Sequence, residues 1–186
     1  MKRPLPTWRA VLLAGGRSSR MGTDKALLPW GDGTLLTHMH ALLQAAGACE
    51  VIVSGDRPGF DSVPDTQPDT GPMGALAQLA PRLRDGAWIV VPVDMPLLSS
   101  GLLQALMRTD ADCACVEAHA LPMALRLDAG VRATLEEIGG LTGRARSLRA
   151  LQQRLHTVHL PSSPWKQVLR NCNTPEDWVA LQHPMS

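Results

Sequence analysis

Apolar residues in this chain fall into short runs, and polar stretches rich in Gly, Pro and Asp separate them. Residues 9–13 read as a strand that is apolar almost throughout, the pattern of a strand covered on both faces. Residues 35–46 read as a helix, with Thr34 as its cap and Gly47 as its stop. Residues 50–54 form a short β-branched strand, and 56–71 are loop. A helix over 73–80 is opened by Pro72 and halted near Pro81. Residues 88–93 form an apolar strand that ends at Asp94, and 99–107 form a helix capped by Ser99 or Ser100.

The second half is less regular. Strands are predicted over 111–117, 123–127, 156–160 and 167–170, and helices over 129–138 and 144–154. Residues 174–181 form a helix with Thr174 as cap, Pro175 at its first position and Asp177 at its third, an acidic variant of the capping box. Strands that alternate with helices predict an α/β fold with a mostly parallel central sheet covered on both faces. Ligands in such folds bind beyond the carboxyl ends of the strands. The segments 15–25 and 54–56, and Asp94, all follow predicted strands, so they are expected along one edge.

Composition narrows the class. A length of 186 residues suits a single domain over 1–186, with no repeat or linker. Aromatic residues are scarce, so Leu, Val and Ala must fill the core. A net charge of +1 offers no long-range attraction to nucleic acid or a membrane surface. The start, Met1-Lys2-Arg3-Pro4-Leu5-Pro6, lacks the apolar segment of a signal peptide. Cys49, Cys113, Cys115 and Cys172 form no Cys-x-x-Cys pair, so buried or idle thiols are expected, with the cytoplasm as compartment.

The candidate chemistry starts where the first strand stops, at Leu13-Ala14-Gly15-Gly16. Glycines let backbone N–H groups approach a phosphate closely, and Arg17, Arg20 and Lys25 follow with positive charge. No Gly-Lys-Ser/Thr ends the loop and no Gly-x-Gly-x-x-Gly is present, so the ATPase and dehydrogenase readings lose their main support. Two glycines alone would read as an ordinary turn; with Arg20, Gly22 and Lys25 added, the loop reads as a polyphosphate site. Asp94, alone, is as compatible with a turn as with a metal ligand. With a phosphate loop expected on the same edge it reads as a Mg²⁺ ligand, because Mg²⁺ takes one or two protein carboxylates and completes its shell with phosphate oxygens and water.

Other candidates carry a plainer reading beside the functional one. Ser54-Gly55-Asp56-Arg57 and Asp65 lie in loops that could read a base, since an Asp accepts two N–H bonds from one edge of guanine. Asp69 reads better as a helix cap. Asn171 and Asn173 are turn formers or site amides. His119 reads as a surface histidine, and Arg144 and Arg146 as a solvated helix face.

Taken together, Leu13-Ala14-Gly15-Gly16, Arg20-Met21-Gly22, Asp24-Lys25, Gly71-Pro72-Met73-Gly74, Pro92-Val93-Asp94-Met95-Pro96 and Asn171-Cys172-Asn173-Thr174-Pro175-Glu176-Asp177 resemble the molybdenum cofactor guanylyltransferases over nearly the whole chain. The second glycine of Ala14-Gly15-Gly16 resembles the guanylyl enzymes more than their cytidylyl relatives, which usually carry Ala-Ala-Gly. The resemblance implies a three-layer, Rossmann-like nucleotidyltransferase fold. It also implies transfer of GMP from GTP to molybdenum-molybdopterin, with Mg²⁺ as cofactor and molybdopterin-supplying and molybdoenzyme-delivery proteins as partners. By position, Leu13, Ala14, Gly15, Gly16, Lys25, Ser54, Asp65 and Asp94 match nucleotide contacts. Asp65 does so with the loop one residue shorter. Lys25, Arg20 and Asp94 match catalytic residues, Asp94 also matches the metal ligand, and Asn171 and Asn173 match residues assigned to the pterin side. Two positions depart from the family: Ser54 stands where some members have Asn, and Leu121-Pro122 where many have His-Pro. A cytidylyltransferase and a non-catalytic nucleotide-binding delivery protein are the competing readings.

Overall fold

A computed structural model describes residues 6–15, 24–67 and 70–182. The chain enters through strand β1 (Trp8–Leu13), then makes a small hairpin from β2 (Pro29–Trp30) and β3 (Gly33–Thr34). Helix α1 (Leu35–Ala45), strands β4 (Ala48–Ser54) and β5 (Ser62–Val63), helix α2 (Gly71–Leu79) and strand β6 (Gly86–Pro92) follow. Next come α3 (Ser100–Met107), β7 (Cys113–Val116), β8 (Met123–Leu127), α4 (Ala129–Gly139) and α5 (Leu148–Arg154). Strand β9 (Thr157–Leu160) and helix α6 (Pro175–Gln182) close the described chain.

Seven strands form one sheet in the order β5-β4-β1-β6-β8-β7-β9. β1 runs parallel to β4 and β6, β4 to β5, and β7 to β9, while β8 runs antiparallel to β6 and β7. Because β8 is reversed against both neighbours, β7 points the same way as β6. The carboxyl ends of β1, β4, β6, β7 and β9 therefore share one edge.

The period of two along each strand divides the core into two layers. Ala10 and Leu12 of β1, Val51 and Val53 of β4, and Ile89 and Val91 of β6 face Leu35, Met39 and Leu43 of α1 and Leu102, Leu103 and Leu106 of α3. Val11, Leu13, Ile52, Trp88 and Val90 point the other way, toward Met73, Leu76 and Leu79 of α2, Val131 and Leu135 of α4, and Leu151 of α5. This is the three-layer α/β/α arrangement expected, and it explains why the central strands carry no polar face. The one fully buried Trp, Trp88, satisfies its indole by donating from Nε1 to the Arg84 carbonyl at 2.8 Å.

Helix limits follow local chemistry. The Thr34 hydroxyl accepts from the Thr37 amide at 3.2 Å, the Thr37 hydroxyl accepts from the Thr34 amide at 2.8 Å, and Gly47 follows α1 at φ 107°. Ser99 rather than Ser100 caps α3, accepting from the Leu102 amide.

Three expectations need correction. Residues 167–170 are not a strand. Pro164 sits in a 3-10 turn over Ser163–Trp165, and the amides of Val168 and Leu169 donate back to the Trp165 carbonyl. That local bonding leaves no ladder to join, and Leu169 is buried from a helical turn. The helix expected over 144–154 begins later, because Ser147 caps α5 by accepting from the Ala150 amide at 3.1 Å; a separate 3-10 turn covers Gly143–Ala145. The loop 56–71 contains the two-residue strand β5, which pairs Ser62 and Val63 with Val53 and Ser54.

Candidate active site

At the carboxyl end of β1 the chain turns out of the sheet at Ala14 and Gly15. The Ser54 hydroxyl, buried at the end of β4, accepts from the Ala14 amide at 3.2 Å and the Gly15 amide at 3.4 Å. Ser54 thus lies beneath the start of the loop with its oxygen engaged by backbone. The approach is too close for side chains. A Cβ on Gly15 would lie 2.0 Å from Asp65 Oδ2, and one on Gly55, at φ 100°, would lie 3.2 Å from the Gly15 Cα. Asp65 is therefore stacked directly on the glycine turn. Burial pushes its carboxyl above the ordinary value, and the nearby Arg57 charge partly opposes this.

Lys25 is delivered by a turn with its own cap. Asp24 Oδ1 accepts from the Ala26 amide at 3.0 Å, and the buried Ala26 anchors the 3-10 turn Lys25–Leu27. The Lys25 ammonium donates to Asp94 Oδ2 at 3.3 Å and to Asn173 Oδ1 at 2.8 Å. One cation therefore gathers the end of β1, the end of β6 and the segment before α6.

Asp94 follows β6 and is fixed through its backbone, its carbonyl accepting from the Cys172 amide at 2.9 Å. Its Oδ1 is buried and has no hydrogen-bond partner among the described residues. Burial raises the carboxyl above its ordinary value, and the charge and hydrogen bond of Lys25 pull the other way. An orphaned, buried carboxylate oxygen near the glycine turn fits a hard divalent cation. Among the described residues no cluster of three or more His, Cys, Asp or Glu is placed to hold a metal.

The segment before α6 is built as its sequence pattern suggests. Asp177 Oδ2 accepts from the Asn173 amide at 3.1 Å and the Thr174 amide at 3.0 Å, while the Thr174 hydroxyl accepts from the Asp177 amide at 3.1 Å. These amide bonds, that from Asn173 first, lower the Asp177 carboxyl below its ordinary value. Cys172 is fully buried between the two amides, so it pins the backbone from which Asn171 and Asn173 project.

Leu13, Ala14, Gly15, Lys25, Ser54, Asp65, Asp94 and Asn173 thus gather on one edge, with the half-buried Asn171 in the same segment. Gly16, Arg17, Arg20, Gly22 and Asp69 lie outside the described residues. His119 keeps to its plainer reading. Its Nδ1 lies 2.9 Å from the Glu117 carbonyl, and it borders a cavity of about 350 Å³ with Arg149, Gln152 and His159 beside the edge strand β9. Arg144 is exposed and Arg146 half-buried. Arg57, at the end of the Ser54-Gly55-Asp56-Arg57 segment beyond β4, bonds to Asp24 and to the Ala14 carbonyl, contacts that its place in the sequence does not reveal. Among the described residues no helix is long and apolar enough to cross a membrane.

A parallel-rich sheet whose carboxyl edge carries a glycine turn, a lysine and a half-orphaned carboxylate defines a nucleotidyltransferase. Residues 10–158 match the family model of the MobA-like NTP transferase domain. The chain is 49% identical to the molybdenum cofactor guanylyltransferase of Xanthomonas euvesicatoria, covering 98% of this chain and 97% of that one. It is 36% identical to a probable molybdenum cofactor guanylyltransferase of Rhodopirellula baltica, covering 92% and 90%. In structure it is similar to the molybdopterin-guanine dinucleotide biosynthesis protein A of Archaeoglobus fulgidus. The TM-score is 0.73 at 16% identity, with 94% and 97% of the two chains covered. The chain belongs to the MobA-like NTP transferase family, among the molybdenum cofactor guanylyltransferases. Its role is nucleotidyl transfer in molybdenum cofactor biosynthesis.

Proposed function

We propose that this chain transfers GMP from GTP to molybdenum-loaded molybdopterin, forming the guanine dinucleotide cofactor and releasing pyrophosphate. The observation that carries the reading is the Lys25–Asp94 pair, with Asp94 Oδ1 left unpartnered beside the glycine turn.

The acceptor supplies its own nucleophile. A phosphate monoester has its second pKa near ~6, so the terminal phosphate of molybdopterin is largely ionised at neutral pH and needs no general base. One of its oxygens attacks the α-phosphorus of GTP. The bond from that phosphorus to the oxygen bridging the β-phosphate breaks, and its electron pair leaves with pyrophosphate. The obstacle is repulsion between two anions, so the work of the site is positioning and charge.

Asp94 would hold Mg²⁺, which would supply positive charge to offset that of the phosphates. Lys25 places its ammonium against the triphosphate and the departing pyrophosphate, and Arg20 adds a second charge from the loop. The glycine-rich loop offers backbone amides to the phosphates, and Ser54 fixes the start of that loop by accepting from the Ala14 and Gly15 amides. Asp65, seated on Gly15, faces the nucleoside, and Asn171 and Asn173 face the pterin side. The reaction belongs in the cytoplasm, in keeping with four cysteines that are all free. Molybdopterin-supplying and molybdoenzyme-delivery proteins are its partners there.

A nucleotide panel tests the assignment. With Mg²⁺ and molybdenum-loaded molybdopterin present, pyrophosphate release is expected with GTP and at most about a tenth of it with CTP, the scale of one hydrogen-bonding mismatch. Preference for CTP, or nucleotide binding without pyrophosphate release, would overturn it.

A further inference from the structure

We propose that Arg57 is a positioning residue that ties Ala14, at the start of the glycine-rich loop, to Asp24, and so sets both the glycine turn at Gly15 and Lys25. The inference rests on the reading of that loop as a triphosphate site. The chain leaves the sheet at Ala14 and re-enters the described structure at Asp24. A single guanidinium joins both points. Arg57 Nη2 donates to the Ala14 carbonyl and, at 3.1 Å, to Asp24 Oδ1, while Nη1 donates to Asp24 Oδ2 at 2.5 Å.

The latch is itself held. The Arg57 amide donates to the Ser62 hydroxyl at 3.3 Å, and the Arg57 carbonyl accepts from that hydroxyl at 3.2 Å and from the Phe60 amide at 3.2 Å. Ser62 opens β5, so pairing of that short strand with β4 fixes the base of the Arg57 side chain. The side chain is 12% exposed, and its Nε is buried with no hydrogen-bond partner among the described residues. Such a guanidinium, low in exposure and bidentate, is a rigid strut rather than a solvated surface charge.

Two consequences follow from what the strut touches. Ala14 is the residue whose amide, with that of Gly15, rests on Ser54, so holding its carbonyl fixes the peptide plane that carries the Gly15 amide. Asp24 accepts the Ala26 amide and starts the turn that aims Lys25 at Asp94. Arg57 therefore acts on the phosphate site through Asp24 and Ala14. A lysine carries the charge but lacks the planar fork that reaches a carboxylate and a carbonyl together.

The test uses Arg57→Ala, Arg57→Lys, Asp24→Asn and the Arg57→Ala/Asp24→Asn double variant. Calorimetry measures binding of Mg²⁺-tripolyphosphate, which has no base and needs no acceptor; steady-state assays give KM and kcat for GTP. Loss of the latch is expected to weaken tripolyphosphate binding and raise the KM for GTP by roughly tenfold or more, with a smaller change in kcat. Arg57→Lys recovers less than half of the loss, and the double variant is no worse than Arg57→Ala alone, because the two residues act as one unit. Tripolyphosphate affinity within about twofold of wild type in Arg57→Ala, or additive losses in the double variant, would overturn the latch. Should Arg57→Ala fail to fold, Arg57→Lys and Asp24→Asn decide the matter by the same readouts. A wild-type protein that binds tripolyphosphate but does not turn over GTP refutes the guanylyl reading alone. One that does not bind tripolyphosphate refutes both.

Discussion

The Lys25 ammonium stands 3.3 Å from Asp94 Oδ2, although the two residues follow different strands and lie 69 positions apart. The parallel pairing of β1 with β6 brings them to one edge, and the Asn173 side chain closes the group from the other side of Lys25. Lys25→Ala and Asp94→Ala are each expected to cut dinucleotide formation by about a thousandfold, the scale of removing a main charge-stabilising group. The folded circular-dichroism spectrum should survive in both. Wild-type-like turnover in either purified variant would remove these residues from the chemistry.

Asp94 also governs the response to pH. Burial raises its carboxyl above the ordinary value of 3.8, and Lys25 only partly opposes this. An acid whose pKa is raised on folding stabilises the fold fully below its unfolded pKa. That contribution is lost as pH rises through the folded value. At neutral pH the buried charge is thus a burden on the fold. Asp94→Asn is expected to melt higher than wild type at pH 7, with the advantage shrinking as pH falls toward and below 3.8. A melting-temperature series across that range checks it, and a lower melting point at neutral pH would contradict it.

Gly15 has no room for a methyl group, since its Cβ would lie 2.0 Å from Asp65 Oδ2. Gly15→Ala is expected to displace Asp65 and lower affinity for a fluorescent GTP analogue by about tenfold or more, as misplacement at a reacting site commonly does. Adding Asp65→Ala should return the lost melting temperature without returning the affinity.

The thiols form an internal control on the packing. Burial is the main cause that pushes Cys113 to about 12 and Cys172 to about 11, so neither is ionised at pH 8. Cys115 is buried and also raised, while Cys49 is exposed. Brief alkylation of the native protein should label Cys49, and denaturation should open all four cysteines to the reagent. Labelling of Cys172 in the native state would mean that the Asn171–Asn173 segment is not anchored as described.

Much of this architecture is legible in the chain because the central strands are buried on both faces. The run from Trp88 to Val93 has no polar position before Asp94, so both the strand and the place where it ends follow from pattern alone. Thr174, Pro175 and Asp177 announce α6 in the same way, through cap chemistry that needs no tertiary partner. What stayed hidden depends on tertiary contacts. β5 is too short to show a period and exists through its pairing with Val53 and Ser54. The apolar pair Val168 and Leu169 fits a strand as well as a helical turn until Trp165 takes their amides. The grouping of Ser54, Gly15 and Asp94 on one edge follows from strand alternation. The direction of the Ser54 hydroxyl, toward the Ala14 and Gly15 amides, and the contacts of Arg57 with Ala14 and Asp24 do not.

The most direct measurement follows the label of GTP through the reaction. The protein is incubated with Mg²⁺, molybdenum-loaded molybdopterin and GTP labelled at either the α- or the γ-phosphorus, and the products are separated. The account predicts that α-label appears in a pterin–guanine dinucleotide and γ-label in pyrophosphate, in equal amounts, and that neither product forms with Asp94→Ala. Absence of α-label from any pterin product, or γ-label released as inorganic phosphate, would contradict it.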